Sequence, residues 1–294
     1  MKRESLIMQW IAHIFLGLFA LSCILPFVLL IASSIADEAV ILESGYSFIP
    51  KTLSFEAYEY LWKMNESILR AYGITVFITV FGTLASLVFT MLLAYPLSRR
   101  DMPFRNALAF IIFFTLLFNG GLVPTYLVYV ELFHIKNTIW SLLIPGIFMN
   151  GFYVLLMRTF FQNSIEPGLL EAARIDGAGE WRVVFSVVLP LSTPILATVG
   201  LFQAVRYWND WMNGLIFLTN TKLYSIQVLL NKTLQDIQVL RSTTLYGAET
   251  AYAELPGESI RMAIAVVGIL PMLIAFPFSQ KYLKKGIALG GIKG

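Results

Sequence analysis

The chain has 294 residues, a formal net charge of +3 at pH 7 and a mean hydropathy of +0.73, with 57% hydrophobic and 13% charged residues. This composition excludes an ordinary soluble domain and indicates a protein whose solvent is lipid. Lysines and arginines stand in short clusters between apolar runs, so the sequence offers no basic face for nucleic acid. The single cysteine, Cys23, and two distant histidines, His13 and His134, provide no metal-ligand spacing.

Six apolar runs of roughly 20 or more residues predict six transmembrane helices, because each run is long enough to cross the hydrocarbon as a helix. They cover approximately residues 10–35, 72–97, 107–130, 139–161, 184–207 and 260–278. The sequence therefore predicts an all-α integral membrane protein. Lys2 and Arg3 precede the first run, and Ser34-Ile35-Ala36 resembles a signal-cleavage site. The run is too long for a signal core, so we expect a retained anchor helix.

The basic residues predict how the chain is oriented. They lie at Lys2 and Arg3, at Arg99, Arg100 and Arg105, at Arg158, Arg174 and Arg182, and at Lys281, Lys284, Lys285 and Lys293. The positive-inside rule places these regions in the cytoplasm, and an even number of helices places both termini there. The loop 37–70 has six acidic residues against three basic ones, which suits the outside.

The predicted organisation has three parts. Residues 1–71 form the anchor helix and an extracytoplasmic loop, residues 72–280 form the transmembrane core, and residues 281–294 form a cytoplasmic tail. A further outer segment at about 219–258 is long and polar enough to meet an extracellular partner. In the second helix small polar residues recur at helical spacing, which favours helix packing over a substrate lining. These are Thr75, Thr79, Thr83, Ser86 and Thr90, with Gly82 beside them.

The connection between the fourth and fifth runs, at 165–182, predicts a short helix outside the bilayer. Pro167 suits the first helical turn and Gly177 suits the C-terminal cap. Leu169, Ala172 and Ala173 are predicted on one side, where small side chains fit a groove. A docking helix and an amphipathic helix lying at the lipid interface both fit this pattern.

The spacing of this segment resembles a known signature. Glu171-Ala172-Ala173, Gly177 four residues later, and then Val187, Leu189 and Pro190 resemble the cytoplasmic motif of permease subunits in binding-protein-dependent ABC importers. That family usually has isoleucine at the position of Val187. Further stretches resemble carbohydrate-importer permeases, most closely the lipoprotein-associated subgroup for oligosaccharides and polysaccharide fragments. They are Asp176-Gly177-Ala178, Asn119 to Pro124, Trp208 to Trp211 and the glycine-rich C-terminus.

The resemblance implies a type I importer fold with a cytoplasmic coupling helix, in the cytoplasmic membrane of a prokaryote. It implies a second homologous permease, an ATPase dimer that uses ATP and Mg²⁺, and an extracytoplasmic solute-binding lipoprotein that delivers the sugar. The sequence has no P-loop, so this chain is expected to bind no cofactor and to be no enzyme. The residues implied in ATPase coupling are Glu171, Ala172, Ala173, Asp176, Gly177, Leu189 and Pro190.

The candidate sugar pathway combines aromatic faces with amide or carboxylate groups, which supply apolar contact and directional hydrogen bonds. The candidates are Asn119, Asn150, Tyr153, Trp208, Asn209 and Asp210. Asn119 lies near the middle of the predicted third helix, beside Gly120 and Gly121. An interfacial aromatic belt with an Arg206–Asp210 ion pair explains the tryptophan segment as well. Interhelical hydrogen bonding and an interfacial tyrosine explain Asn150 and Tyr153 equally.

Three other classes of protein compete with an importer permease. A secondary, ion-coupled transporter needs ionisable groups inside the bundle, and the apolar runs are nearly free of them. A membrane enzyme needs paired carboxylates or a nucleophile and base, and the predicted helices contain no such arrangement. A structural membrane scaffold is the third. The basic tail is expected to be a flexible end, with contact to the ATPases as the alternative.

Overall fold

The computed structural model describes residues 2–147, 150–244 and 257–290, with side chains described for residues 8–145, 150–239 and 257–274. Within these residues the fold is helical. The first half contains α1 (Lys2–Ser34), α2 (Glu38–Ser44), α3 (Glu56–Lys63), α4 (Asn65–Ser98), α5 (Arg105–Leu117), α6 (Leu122–Leu127), a π-helical turn (Val128–Leu132) and α7 (Trp140–Ile147). An isolated antiparallel bridge joins Ala36 to Leu53.

The second half continues the helical pattern. It contains α8 (Gly151–Ser164), α9 (Pro167–Ile175), α10 (Glu180–Val183), a π-helical turn (Val184–Val188), α11 (Leu189–Leu191), α12 (Thr193–Trp208), α13 (Met212–Phe217), a 3₁₀ turn (Thr221–Leu223), α14 (Ile226–Thr244) and α15 (Glu258–Gly290). Two compact units divide the chain. One comprises Met1–Glu66 and Leu230–Leu273, and the other comprises Ser67–Leu229 and Ile274–Gly294.

Each of the six predicted spans contains helical segments of the described residues. Among the described residues, Met8–Ser34 and Asn65–Ser98 are each long and apolar enough to cross a membrane. Two bent pairs raise that number to four if each pair is one span. The fourth predicted span corresponds to α7 and α8, and the sixth to α15, which continues through Gly290. Of the predicted tail, residues 291–294 lie outside the described residues, as do residues 245–256 of the outer segment.

The third predicted helix is not continuous, which corrects the placement of Asn119, Gly120 and Gly121 in its middle. α5 ends at Leu117, and residues 118–121 form a break across which the chain turns by 115°. Asn119 Oδ1 accepts a hydrogen bond from the backbone N–H of Gly121 at 2.9 Å, and Gly121 has φ of +87°. This side-chain turn replaces helical hydrogen bonds, and its positive φ suits glycine.

The fifth predicted helix also bends, by 81° between Leu191 and Thr193. Pro190 cannot donate a helical hydrogen bond, and the residues before it form the π-helical turn Val184–Val188. Ser192 stands at the bend, where its hydroxyl donates to the carbonyl of Val188 at 2.6 Å. The proline and the serine thus account for the direction change within the signature segment.

Among the described residues, two clusters of buried hydrophobic side chains form the core of the unit that contains α4 to α13. The larger cluster joins α4, α5, α8 and the segment after α9, through residues such as Ala94, Val154, Met157 and Val188. The polar face of α4 lies inside the protein, as predicted for a packing face: Thr75, Ser86 and Thr90 are buried. At Gly82 a Cβ atom would lie 2.5 Å from Cζ of Tyr207, so only glycine lets this ring approach α4.

Candidate functional site: the cytoplasmic coupling region

The predicted cytoplasmic helix is present as α9, from Pro167 to Ile175, with Pro167 in its first turn. Its C-terminus is closed by a pair of backbone hydrogen bonds. The N–H of Gly177 donates to the carbonyl of Arg174 and that of Ala178 donates to the carbonyl of Ala173, each at 2.9 Å. Gly177 has φ of +83°. This is a Schellman cap, and it explains why glycine follows the helix at this position.

The two faces of α9 differ from the predicted arrangement. Leu170, Ala173 and Ala178 pack against the larger hydrophobic cluster, so Ala173 faces inward rather than sharing an outer side with Leu169 and Ala172. The outward face carries Gly168, Ala172 and Ile175, with Glu171 beside them, and Ile175 is 85% exposed. We call these four residues the outer face of α9. They combine small and apolar side chains with one carboxylate.

The two ends of the signature occupy different positions. Asp176 is the C-cap residue that directly follows α9, and the left-handed Gly177 comes after it. Leu189 packs against the larger cluster, while Pro190 is exposed one residue before Leu191, where the bend begins. The signature therefore combines an exposed helix with the bend in the helix that follows it.

A charged bridge lies beside α9. Glu180 Oε1 is 3.2 Å from Arg174 Nε, and Glu180 Oε2 accepts from Arg99 Nη1 at 2.6 Å. The Tyr95 hydroxyl also donates to Glu180 Oε2, at 3.2 Å. Arg99 holds Asp101 through a two-point contact, which lowers the pKa of the Asp101 carboxyl to about 2. We call Arg99, Glu180 and Arg174 the arginine bridge.

The end of α4 is capped by side chains from two other helices. Arg158 and Gln162 of α8 donate to the carbonyls of Leu97 and Ser98, at 3.1 and 3.4 Å. Arg105 of α5 donates to the carbonyl of Arg99 at 3.4 Å. The last carbonyls of a helix lack internal donors, and the last turn of α4 has no basic residue of its own. Positively charged side chains are also stabilising here, because the C-terminus is the negative end of the helix dipole.

The predicted pathway residues are held by local contacts. Asn150 Oδ1 accepts from the backbone N–H groups of Phe152 and Tyr153, so it caps the start of α8. The Tyr153 ring stacks on Phe202 of α12 with a centroid distance of 6.4 Å. Asn150 and Tyr153 thus lie together at the start of α8, whereas Asn119 holds the break before α6, and each has a structural role in the described chain.

The tryptophan segment follows the end of α12. Trp208 is buried, with its ring 6.5 Å from that of Tyr72, whereas Asn209 is exposed and donates to the carbonyl of Val205. Asp210 accepts from the backbone and side-chain nitrogens of Asn213. Among the described side chains no ion pair joins Arg206 to Asp210, so that predicted pairing is wrong. Asp210 caps α13 instead.

The arginine bridge is a feature that the sequence analysis missed. Arg99 and Arg174 entered the sequence analysis only as markers of the cytoplasmic side, and Glu180 was not singled out there. The available signal was the presence of charges of both signs in two loops on the same predicted side of the membrane. Their pairing joins residues 81 positions apart, and sequence spacing does not predict such a contact.

Among the described residues, apolar membrane-length helices, an exposed and capped short helix and a bent helix behind it fit the class of importer permeases. The chain matches the family described as "Binding-protein-dependent transport system inner membrane component" over residues 60–289. It belongs to that family, and it is the permease component of an ABC sugar importer for oligosaccharide or polysaccharide.

The names of similar proteins agree with this assignment. The chain is 40% identical to the polygalacturonan/rhamnogalacturonan transport system permease protein YtcP of Bacillus subtilis (strain 168), covering 95% of this chain and 96% of the relative. It is 37% identical to protein LplC of the same organism, over 96% and 93% of the two chains. A crystal structure of a bacterial ABC transporter involved in the import of the acidic polysaccharide alginate matches with a TM-score of 0.79 and 31% identity, covering 95% of this chain and 98% of that one.

Proposed function

We propose that the outer face of α9 docks into a groove of a separate ATPase subunit and passes its movement to the sugar pathway. The observation that carries the proposal is the division of α9 into two faces. The inner face is anchored in the hydrophobic cluster through Leu170 and Ala173, while the outer face leaves Ala172 and Ile175 exposed. A helix anchored on one side and apolar on the other suits docking.

The orientation and the partners belong to the same proposal. The basic clusters support cytoplasmic termini and a cytoplasmic α9. ATP and Mg²⁺ are then used by a pair of ATPase subunits below this chain and a second, homologous permease. A solute-binding lipoprotein delivers the glycan from outside. Closure of the ATPases on ATP moves α9 and shifts the helices between inward-open and outward-open packings.

The proposed pathway runs along the residues predicted from the sequence. Tyr153 with its stacked partner Phe202, and the exposed Asn209, offer an aromatic surface and an amide of the kind that sugars bind. Asn119, Asn150, Trp208 and Asp210 shape the turns and helix ends around them.

Two of the similar proteins are named for acidic polysaccharides, polygalacturonan/rhamnogalacturonan and alginate. This supports an acidic oligosaccharide as the cargo. Uptake assays with the assembled importer therefore use an oligogalacturonate, and a neutral oligosaccharide of the same length is the control.

The docking role is tested by Ala172→Arg in the importer reconstituted in proteoliposomes with its ATPase and binding protein. A long cation on the outer face blocks a groove that accepts alanine. We expect uptake to fall at least about tenfold, the factor by which a loss of roughly 1.4 kcal/mol weakens a binding constant. The matched control is Asn163→Arg, which adds the same charge at the exposed end of α8. Equal uptake by the two variants would overturn the proposal.

A further inference from the structure

A polar cleft separates α9 from the end of α4. It has a volume of about 660 Å³, and its walls include Pro167 and Glu171 on the side of α9 and Ser98 and Arg100 on the side of α4. Beside the cleft, Leu170 and Ala173 of α9 pack against the hydrophobic cluster that also contains Ala94 and Leu97 of α4. The arginine bridge spans the cleft, since Arg174 belongs to α9 and Arg99 directly follows α4.

Glu180 is the central group of the bridge, because each of its oxygens meets a different arginine. The Arg99 side chain is only 19% exposed and is fixed on its other side by Asp101. The Arg99–Glu180 contact is a charge-assisted hydrogen bond with defined geometry, and Arg174 meets Glu180 as an ion pair. The bridge is therefore a defined connection between α9 and α4.

The end of α4 is in turn tied to α5 and α8 by Arg105, Arg158 and Gln162. A displacement of α9 that pulls on Arg99 thus reaches three helices. The backbone from α9 through α10 offers a second path, but it leads only into the bent helix that ends at Trp208. Without the bridge, α9 and the end of α4 are connected only through the shared hydrophobic cluster, which has no directional contact comparable to the bridge.

We propose that Arg99 and Glu180 are positioning residues that transmit the movement of α9 to α4, so that ATP hydrolysis and sugar passage stay coupled. The proposal rests on the docking role of α9 given above. It assigns a transmission function to groups outside the signature: Glu180 lies after the α9 cap, and Arg99 lies in the preceding cytoplasmic connection.

The test measures sugar transported per ATP hydrolysed by the complete importer in proteoliposomes, for Arg99→Gln, Glu180→Gln and the double variant. Loss of folding or assembly lowers both rates together and leaves their ratio unchanged, so the ratio reports coupling. We expect each single variant to lower the ratio about fivefold or more, the lower end of typical coupling between sites. The ratio in the double variant is expected to be no lower than in the more impaired single variant, because both changes break the same connection.

Arg100→Gln is the matched control, because Arg100 is the exposed neighbour of Arg99 and takes no part in the bridge. Its ratio is expected to equal that of the unmodified importer, and Arg99→Lys, which keeps the charge, is expected to recover part of the loss. An unchanged ratio in Glu180→Gln, or strictly additive losses in the double variant, would overturn the proposal. If Ala172→Arg abolishes uptake while Glu180→Gln keeps the normal ratio, docking stands and the bridge fails. If Ala172→Arg is also without effect, the docking role fails.

Discussion

At the scale of single residues, the coupling region depends on a backbone conformation as much as on side-chain chemistry. Gly177 adopts φ of +83°, and a Cβ atom there would meet no other atom within 4 Å. Its requirement for glycine is therefore conformational and not steric. Gly179, two residues later, also has open space around it but a φ of −66°, which any residue adopts.

This pair of glycines gives a matched test. Gly177→Val forces a β-branched residue into the left-handed region, at a cost of about 1–2 kcal/mol, and is expected to loosen the cap that ends α9. Gly179→Val keeps an extended backbone and is expected to be neutral. The measurement is oligosaccharide uptake together with the amount of permease in the membrane. Equal uptake by the two variants at equal amounts would show that the cap has no part in coupling.

Some residue roles followed from the sequence and others did not. Pro167 and Gly177 were placed correctly at the ends of a short helix, because their conformational preferences are local. The prediction that Ala173 shares an outer side with Leu169 and Ala172 was wrong. Helical spacing alone puts the three residues on one side, but the position of the hydrophobic cluster determines which residues face inward, and Ala173 packs against it. The Arg206–Asp210 pair was wrong because Asn213 is a nearer partner for the carboxylate.

At the scale of elements, hydropathy predicted where the membrane helices lie, since an apolar run long enough to cross lipid is visible in the sequence. It did not predict the bends at residues 118–121 and at Ser192. Averaging over a window conceals a side-chain turn such as that of Asn119, and a proline near the end of a helix does not by itself fix a bend of 81°.

The start of α15 shows a contact that local patterns do not contain. The carboxylate of Glu38, in α2, accepts from the backbone N–H groups of Glu258 and Ser259 and from the Ser259 hydroxyl, at 2.9 to 3.0 Å. Glu38 and Glu258 are 220 residues apart in sequence. The carboxylate thus caps the N-terminus of α15, where free N–H groups and the helix dipole favour a negative charge.

This cap predicts a pH dependence. Partial burial raises the pKa of Glu38, but the backbone hydrogen bonds from Glu258, Ser259 and Gly257 outweigh it and hold the pKa below its usual 4.5. A carboxyl whose folded-state pKa is depressed stabilises the structure above its unfolded pKa, and this contribution is lost as pH falls through the folded pKa. We expect protection of the Ser259 amide against hydrogen exchange, corrected for intrinsic rates, to fall across that acidic range.

Glu38→Gln is expected to remove this pH dependence and to destabilise the start of α15 by about 1 kcal/mol, as loss of a helix cap does. Glu43→Gln, an exposed change in the same helix α2, is the control. Retention of the same pH-dependent protection in Glu38→Gln would show that another group is responsible.

At the scale of the whole molecule, the chain is the permease component of a sugar importer, and we propose that ATP hydrolysis belongs to partner subunits. The family and its sugar class follow from a match that covers most of the chain. The role that we propose for this chain is mechanical, and it rests on an exposed helix, its cap, a charged bridge and a bent helix. Partner contacts cannot be predicted from one sequence in the same way, because they depend on the surfaces of other chains.

The most direct test of the central claim is to crosslink α9 to an ATPase subunit in the assembled importer. Cys23, the single cysteine, is replaced by serine, and a thiol-to-amine crosslinker is applied to Ile175→Cys, on the outer face of α9. Trp211→Cys, beyond the far end of α12, is the control. We expect a permease–ATPase product for Ile175→Cys and none for Trp211→Cys. Absence of that product, or labelling of Ile175→Cys in intact cells by a maleimide that cannot cross the membrane, would contradict it.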